Sequence, residues 1–197
     1  MRLTKNVLIG ASFIVAAAAL AVVLPMLASG PQGPTAAPTG PLEVMIIRHG
    51  EEPKSGPDLD DTGRARAKAL AALFQTPFGM PTSIFAAKSS KQSARPVQTC
   101  EPLAKSLKLP IDDRFGEQEY KKVAKSILES SKHSGGHVVV CWKRETMSQL
   151  AAALGVANPP AEWPAEQYDH VWRIAYVGGK ATLTDEVQGI RLPGTAP

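Results

Sequence analysis

The sequence predicts an α/β domain built on an open sheet of parallel strands, and three observations carry that prediction. Short apolar, β-branched runs, above all Val44 to Ile47 and Val138 to Trp142, read as buried strands. Segments with apolar residues at helical spacing follow them, as in Ala65 to Phe74 and Val97 to Leu107. Polar or Gly- and Pro-containing loops separate the two, so strand, loop and helix recur in the same order.

Composition sets the frame. A chain of 197 residues with 44% apolar content suits one domain of ordinary size plus an appendage. The net charge of +4 comes from scattered Lys and Arg, several at helical spacing. That describes a solvated surface mildly attractive to anionic substrates, not a nucleic-acid footprint. Cys100 and Cys141 show no CxxC or metal-ligand spacing and sit in apolar-periodic segments, so they read as buried thiols; an exported location permits a disulfide if their geometry allows. His133 and His137 are four apart, but Ser134-Gly135-Gly136 intervenes and gives them no shared helix face. No metal site and no cofactor is expected.

The chain begins with a segment outside the domain. Arg2 and Lys5 precede a nearly uncharged apolar run from Val7 to Ala28, long enough to span a bilayer and longer than the usual core of a signal peptide. The basic flank keeps the N-terminus cytoplasmic. Residues 1–29 are therefore expected to form an N-terminal hydrophobic helix that anchors the chain. The small-residue exit Ala28-Ser29-Gly30 makes cleavage the alternative. Either way the domain leaves the cytoplasm, as a membrane-anchored periplasmic or extracellular domain or as a secreted one. Residues 30–41, rich in Pro, Gly, Thr and Ala and uncharged, read as a flexible or polyproline-like linker, and the domain is assigned to residues 42–197.

Within the domain, the strand from Leu42 stops abruptly at Arg48-His49-Gly50-Glu51, and Glu52 to Asp58 is a loop over its tip. A helix capped by Asp61 or Thr62 runs to about Phe74. Thr82 to Ala87 is a second strand, ending in the polar loop Lys88 to Ser93. The next helix begins near Ala94, with Pro102 kinking or restarting it. Leu109 to Asp112 adds a short strand, and Glu117 to Ser131 a helix through Tyr120, Val123, Ile127 and Leu128. His137 to Trp142 is the most apolar strand; a loop and cap over Lys143 to Ser148 lead to a helix with Met147, Leu150, Ala151 and Leu154 at i, i+3, i+4 and i+7. His170 to Val177 and Lys180 to Thr184 flank Gly178-Gly179, a hairpin signal.

Two of these strands end in chemistry. Arg48 and His49 leave the first strand at a Gly turn, where open α/β sheets hold their ligands. A neutral imidazole can attack phosphorus, and a guanidinium beside it can hold two phosphate oxygens bidentately. Arg95 opens a helix near the second strand tip, where its charge opposes the positive end of the helix dipole. Its place there points to an anion between the two arginines. The alternatives are a solvated polar pair at a strand end and an exposed first-turn arginine.

Several stretches together resemble a known family. Met45 to Glu51 (MIIRHGE), Thr62-Gly63-Arg64-Ala65 heading Leu59 to Leu70, Ser93 to Thr99 leading to Glu101-Pro102-Leu103-Ala104, and Val138 to Trp142 look like the histidine phosphatase superfamily, also called phosphoglycerate-mutase-like, over nearly the whole domain. The likeness is greatest to a subgroup with Cys-Trp after the fourth motif's strand, then Trp-Pro, Tyr-Asp-x-Val-Trp and a Gln before the C-terminal turn, here Trp163-Pro164, Tyr168 to Trp172 and Gln188. The resemblance implies a three-layer α/β/α domain with a mostly parallel central sheet. In it, His49 is phosphorylated and then hydrolysed while Arg48 and Arg95 grip the phosphoryl oxygens.

One position departs from the family. A second histidine there follows the strand equivalent to His137 to Trp142, and by alignment on Cys141-Trp142 and Leu150 its place is held by Arg144. Arginine binds phosphate but does not donate a proton at neutral pH. The expected substrate-binding set is Arg48, Arg95 and Arg144. The leaving-group acid stays open among Glu51, Glu52, Glu117, Glu119 and Glu145, with Glu51 named first; each also reads as a capping or solvated glutamate. Two functions follow: an exported or membrane-tethered phosphomonoesterase working through phosphohistidine at His49, slowed by the missing histidine, or a catalytically degenerate phosphate- or phosphoester-binding domain. Both take a phosphorylated small molecule or phosphoester as partner and meet the membrane through the N-terminal helix.

Overall fold

The computed structural model describes residues 39–75 and 78–192. The hydrophobic helix expected over residues 1–29 and the linker as far as residue 38 lie outside them. No described helix is long and apolar enough to cross a membrane.

Strand β1 (Glu43–Arg48) is buried along its whole length, as its unbroken apolar run requires. Alternate side chains point to opposite faces of a strand. Val44 and Ile46 therefore join one core with Val123, Ile127, Leu150 and Trp172, while Met45 and Ile47 join a second with Leu70, Phe74, Cys100 and Leu103. The first core carries helices α3 (Tyr120–Glu129) and α4 (Met147–Ala153), and the second α1 (Asp61–Leu73) and α2 (Arg95–Leu107). That gives the three layers.

The other strands are β2 (Ser83–Ala86), β3 (Ile111–Asp112), β4 (His137–Trp142), β5 (His170–Val177) and β6 (Lys180–Val187), in a six-stranded sheet of order β3-β2-β4-β1-β5-β6. β1, β2, β3 and β4 run parallel, and the β5–β6 hairpin adds antiparallel to β1. Register sets Arg48 opposite Trp142 and Ala86 opposite Cys141, so β1, β2 and β4 end on one edge.

Local details differ from expectation. The cap of α1 is Asp60, whose Oδ1 accepts the Gly63 N–H at 2.7 Å, rather than Asp61 or Thr62. α2 runs unbroken through Pro102, because Thr99, Cys100, Leu103 and Ala104 are buried on both sides of it and hold the helix against the sheet. The helix expected over Glu117 to Ser131 is α3 flanked by 3-10 turns at Glu117–Glu119 and Ser131–His133. β6 extends three residues past Thr184, to Val187.

Candidate active site

His49 follows β1 directly, with its N–H donating to the Trp142 carbonyl at 3.4 Å, and is 4% exposed. Nδ1 lies 2.8 Å from the Gly50 carbonyl oxygen. A carbonyl only accepts, so Nδ1 carries the proton and Nε2 keeps its lone pair. Burial is the main cause that pulls the His49 pKa down to about 4; Arg48 and Arg95 pull the same way, against the Gly50 carbonyl and Glu52. The imidazole is thus neutral at pH 7, with the Nε2 lone pair open.

The turn after His49 is pressed against the start of α1. A Cβ on Gly50 would lie 2.9 Å from Gly63 Cα, and one on Gly63 would lie 2.4 Å from the Glu51 carbonyl oxygen. Only two glycines allow this approach. The Gly50 N–H donates to Thr99 Oγ1 at 2.9 Å, and the Thr99 hydroxyl donates to the Arg95 carbonyl at 2.8 Å. Thr99 therefore ties the turn after His49 to the first turn of α2, fixing His49 relative to Arg95.

The structure brings Arg48 and Arg95 together through one carboxylate. Glu52 Oε2 lies 2.6 Å from Arg95 Nη2, and Oε1 lies 3.8 Å from Arg48 Nη2. Arg48 is 2% exposed. Its Nη1 donates to the Ala165 and Gln167 carbonyls, its Nη2 to the Tyr168 hydroxyl at 3.0 Å, and its guanidinium carbon sits 3.8 Å from the centre of the Tyr168 ring. Burial draws the Arg48 pKa below its usual value, offset by Tyr168 and Glu52. Arg95 Nη1 donates to the Gly56 carbonyl at 2.9 Å. The Nε atoms of both arginines and Ser93 Oγ are buried without a hydrogen-bond partner. Buried donors without a partner are uncommon in folded proteins.

Glu51 goes elsewhere. Its carboxylate receives Arg66 Nε at 3.0 Å on both oxygens and Arg66 Nη2 at 2.6 Å, and Arg66 Nη1 donates to Gln188 Oε1 at 3.1 Å. The structure does not bring Glu51 to the arginine pair: an oppositely charged fork, itself buried, has claimed it. Gln188 in turn donates to the Tyr168 and His170 carbonyls, linking this brace to the loop over Arg48.

Arg144 opens the 3-10 turn after β4, two residues beyond Trp142. Its side chain is 39% exposed and its Nε meets the carboxylate of its neighbour Glu145 at 3.2 Å. Its charge reaches Arg48, pulling that pKa down, yet among the described residues no hydrogen bond or ion pair joins it to Arg48, His49 or Arg95. Glu117 pairs with Lys143, and Glu119 with Lys122. The remaining histidines are engaged away from the pair: His133 with Ser83 at 2.9 Å, His137 with Glu43 at 3.2 Å, and His170 with Asp185 at 2.7 Å. Among the described residues no group of three His, Cys, Asp or Glu side chains is placed to hold a metal.

Sequence reasoning missed the bridging role of Glu52, the Thr99 tie and the cover formed by Ala165, Gln167 and Tyr168. Thr99 carried a signal, a polar residue one turn after Arg95 on the buried face of α2. The carbonyls carried none, since backbone groups have no residue code.

No family model matches the chain, and no curated protein does. Solved structures do. Bacillus stearothermophilus YhfR superposes with a TM-score of 0.54 at 17% identity, over 73% of this chain and 96% of that one. The protein histidine phosphatase SixA, complexed with tungstate, superposes with a TM-score of 0.51 at 16% identity, over 74% of this chain and 97% of that one. The described domain has the fold of the histidine phosphatases, also called phosphoglycerate-mutase-like proteins.

Proposed function

We propose that this chain, with the histidine-phosphatase fold as premise, is a phosphomonoesterase that works through a phosphohistidine at His49. The observation that carries the reading is the convergence of Arg48 and Arg95, from two strand tips, beside an imidazole held neutral with its Nε2 lone pair intact. Phosphoryl transfer asks a protein chiefly for position and fixed positive charge. The tungstate held by SixA is a tetrahedral oxyanion like phosphate, which agrees with this use of the fold.

His49 Nε2 attacks phosphorus; the P–N bond forms as the P–O ester bond breaks, and the leaving oxygen takes a proton from water. Water then attacks the phosphohistidine, phosphate departs, and the imidazole is regenerated. Arg48 and Arg95 hold the non-bridging oxygens through both steps. Glu51, braced by Arg66, acts by fixing the turn that carries His49. Arg144, at the position where the family resemblance places a second histidine, adds positive charge near Arg48 without a proton to share, so turnover is slow. Domain placement outside the cytoplasm, tethered at residues 1–29 or released by cleavage, is part of the same proposal. It is supported by Arg2 and Lys5 before the uncharged run Val7 to Ala28.

A second reading, a phosphoester-binding domain without turnover, is favoured by Arg144 and by the burial of His49. One experiment separates the two. The full-length chain is assayed on an aryl phosphate, whose leaving phenolate needs little help from an acid, and titrated with vanadate and phosphate. Hydrolysis inhibited by vanadate supports the enzyme. Stabilisation by phosphate without hydrolysis supports the binding domain, and neither response overturns both.

A further inference from the structure

The pocket between Arg48 and Arg95 holds an anion of the chain's own. Glu52 places one carboxylate between two guanidiniums that come from different strand tips, 2.6 Å from one and 3.8 Å from the other. It serves them incompletely. Arg48 Nε and Arg95 Nε stay buried and unpartnered, and so does Ser93 Oγ on a residue that is 1% exposed. Arg48 meanwhile spends its terminal nitrogens on the Ala165 and Gln167 carbonyls and the Tyr168 hydroxyl. Among the described residues, Glu52 has no bond beyond these two arginines, and its side chain is one-third exposed at 33%. A route back to water is open to it.

We propose that Glu52 is an internal competitor that any anion entering the site must displace, so that it sets how strongly an anion must bind the two arginines in order to stay. The inference rests on the reading of this site as a phosphoryl pocket. Its physics is a comparison of anions. Glu52 offers one charge and two oxygens. A phosphomonoester dianion brings two charges and three non-bridging oxygens, enough to replace both ion pairs and still reach the open Nε donors. A phosphodiester or a free carboxylate brings one charge and two oxygens; exchange with Glu52 gains it nothing while it must still shed its own water. Every anion thus meets the same displacement cost, and only one that gains more from the arginines than Glu52 does remains bound. Glu52 lies in the loop that Gly56 and Pro57 fasten to the start of α2, through the Arg95 side chain and the Ala94 N–H, so the competitor is built into the same frame as the arginines it occupies.

If Glu52 merely positions the two arginines, its loss weakens every anion. If it competes, its loss strengthens them all by a similar factor. Calorimetric titration of the full-length chain at pH 8 with inorganic phosphate and with dimethyl phosphate reads the difference, for wild type, Glu52→Gln and Glu52→Ala, with folding of each checked by its melting temperature. The expected result is about tenfold tighter binding of both anions in both variants. Unchanged or weaker phosphate binding in both variants overturns the inference while leaving the phosphoryl pocket standing. Phosphate binding absent from wild type and variants alike removes the pocket reading and the inference with it.

Discussion

β1 and β4 are parallel neighbours in register from Glu43 opposite His137 to Arg48 opposite Trp142, so their tips open on the same edge of the sheet. Each tip then presents an arginine, and the two arginines differ in almost everything else. Arg48 is 2% exposed, held by two carbonyls and a tyrosine, with a buried Nε left open. Arg144 is more than one-third exposed and rests on the glutamate next to it. A strand tip delivers a side chain to the edge of the sheet. What sets Arg48 apart from Arg144 is burial together with a donor that the protein leaves unsatisfied.

The comparison breaks most visibly by alanine substitution on each side. Arg48→Ala, at the β1 tip, is expected to lower kcat/KM on an aryl phosphate by about 10²-fold to 10³-fold, the usual cost of one positioned donor to a developing oxyanion. It is also expected to remove most of the rise in melting temperature that phosphate gives by binding the native state. Arg144→Ala, which removes a charge near Arg48 and none of its bonds, is expected to lower the phosphate-induced shift only in part. Equal losses from the two substitutions contradict the distinction between the tips.

His49 gives the next effect. Its pKa is near 4 in the fold against 6.5 in an unfolded chain, so between those values the unfolded state binds the proton and the folded state does not. Stability conferred by the neutral imidazole is complete above pH 6.5 and falls as pH drops towards 4. The span corresponds to about 3 kcal/mol. Denaturant unfolding at pH 7 and pH 4 should therefore show a smaller acid loss for His49→Gln than for wild type. Identical losses mean that the fold leaves the imidazole pKa where an unfolded chain has it.

A smaller effect is expected from restoring a proton-sharing group at the β4 tip. Arg144→His should raise kcat/KM by about tenfold, only part of the 10²-fold to 10⁴-fold that a positioned acid or base contributes, because Arg144 already supplies charge. If histidine proves the worst of Arg, Ala and His at this position, Arg144 works in catalysis itself.

Much of the frame was legible in the sequence. β4 and β5 fall where the apolar run and the Gly-Gly turn set them, since a buried strand has to be apolar throughout and a hairpin needs its glycines. The N-cap of α1 was not, because Asp60, Asp61 and Thr62 are three capping residues in a row and only the geometry selects one. At the site, the meeting of Arg48 and Arg95 was readable from two strand-loop-helix units of one sheet. The engagement of Glu51 by Arg66 was not, because Arg66 lies on α1 with nothing in its spacing to single it out from Arg64. The cover over Arg48 comes from backbone carbonyls in an aperiodic Pro- and Trp-containing loop over a hundred residues away, beyond the reach of any local pattern.

The central claim is that His49 accepts the phosphoryl group. Rapid quench of the full-length chain with a phosphorus-labelled aryl phosphate tests it directly: label that is acid-labile and base-stable should appear on the protein before product accumulates, map to His49, and vanish together with turnover in His49→Ala. Label on another residue, or turnover that survives His49→Ala, contradicts the account.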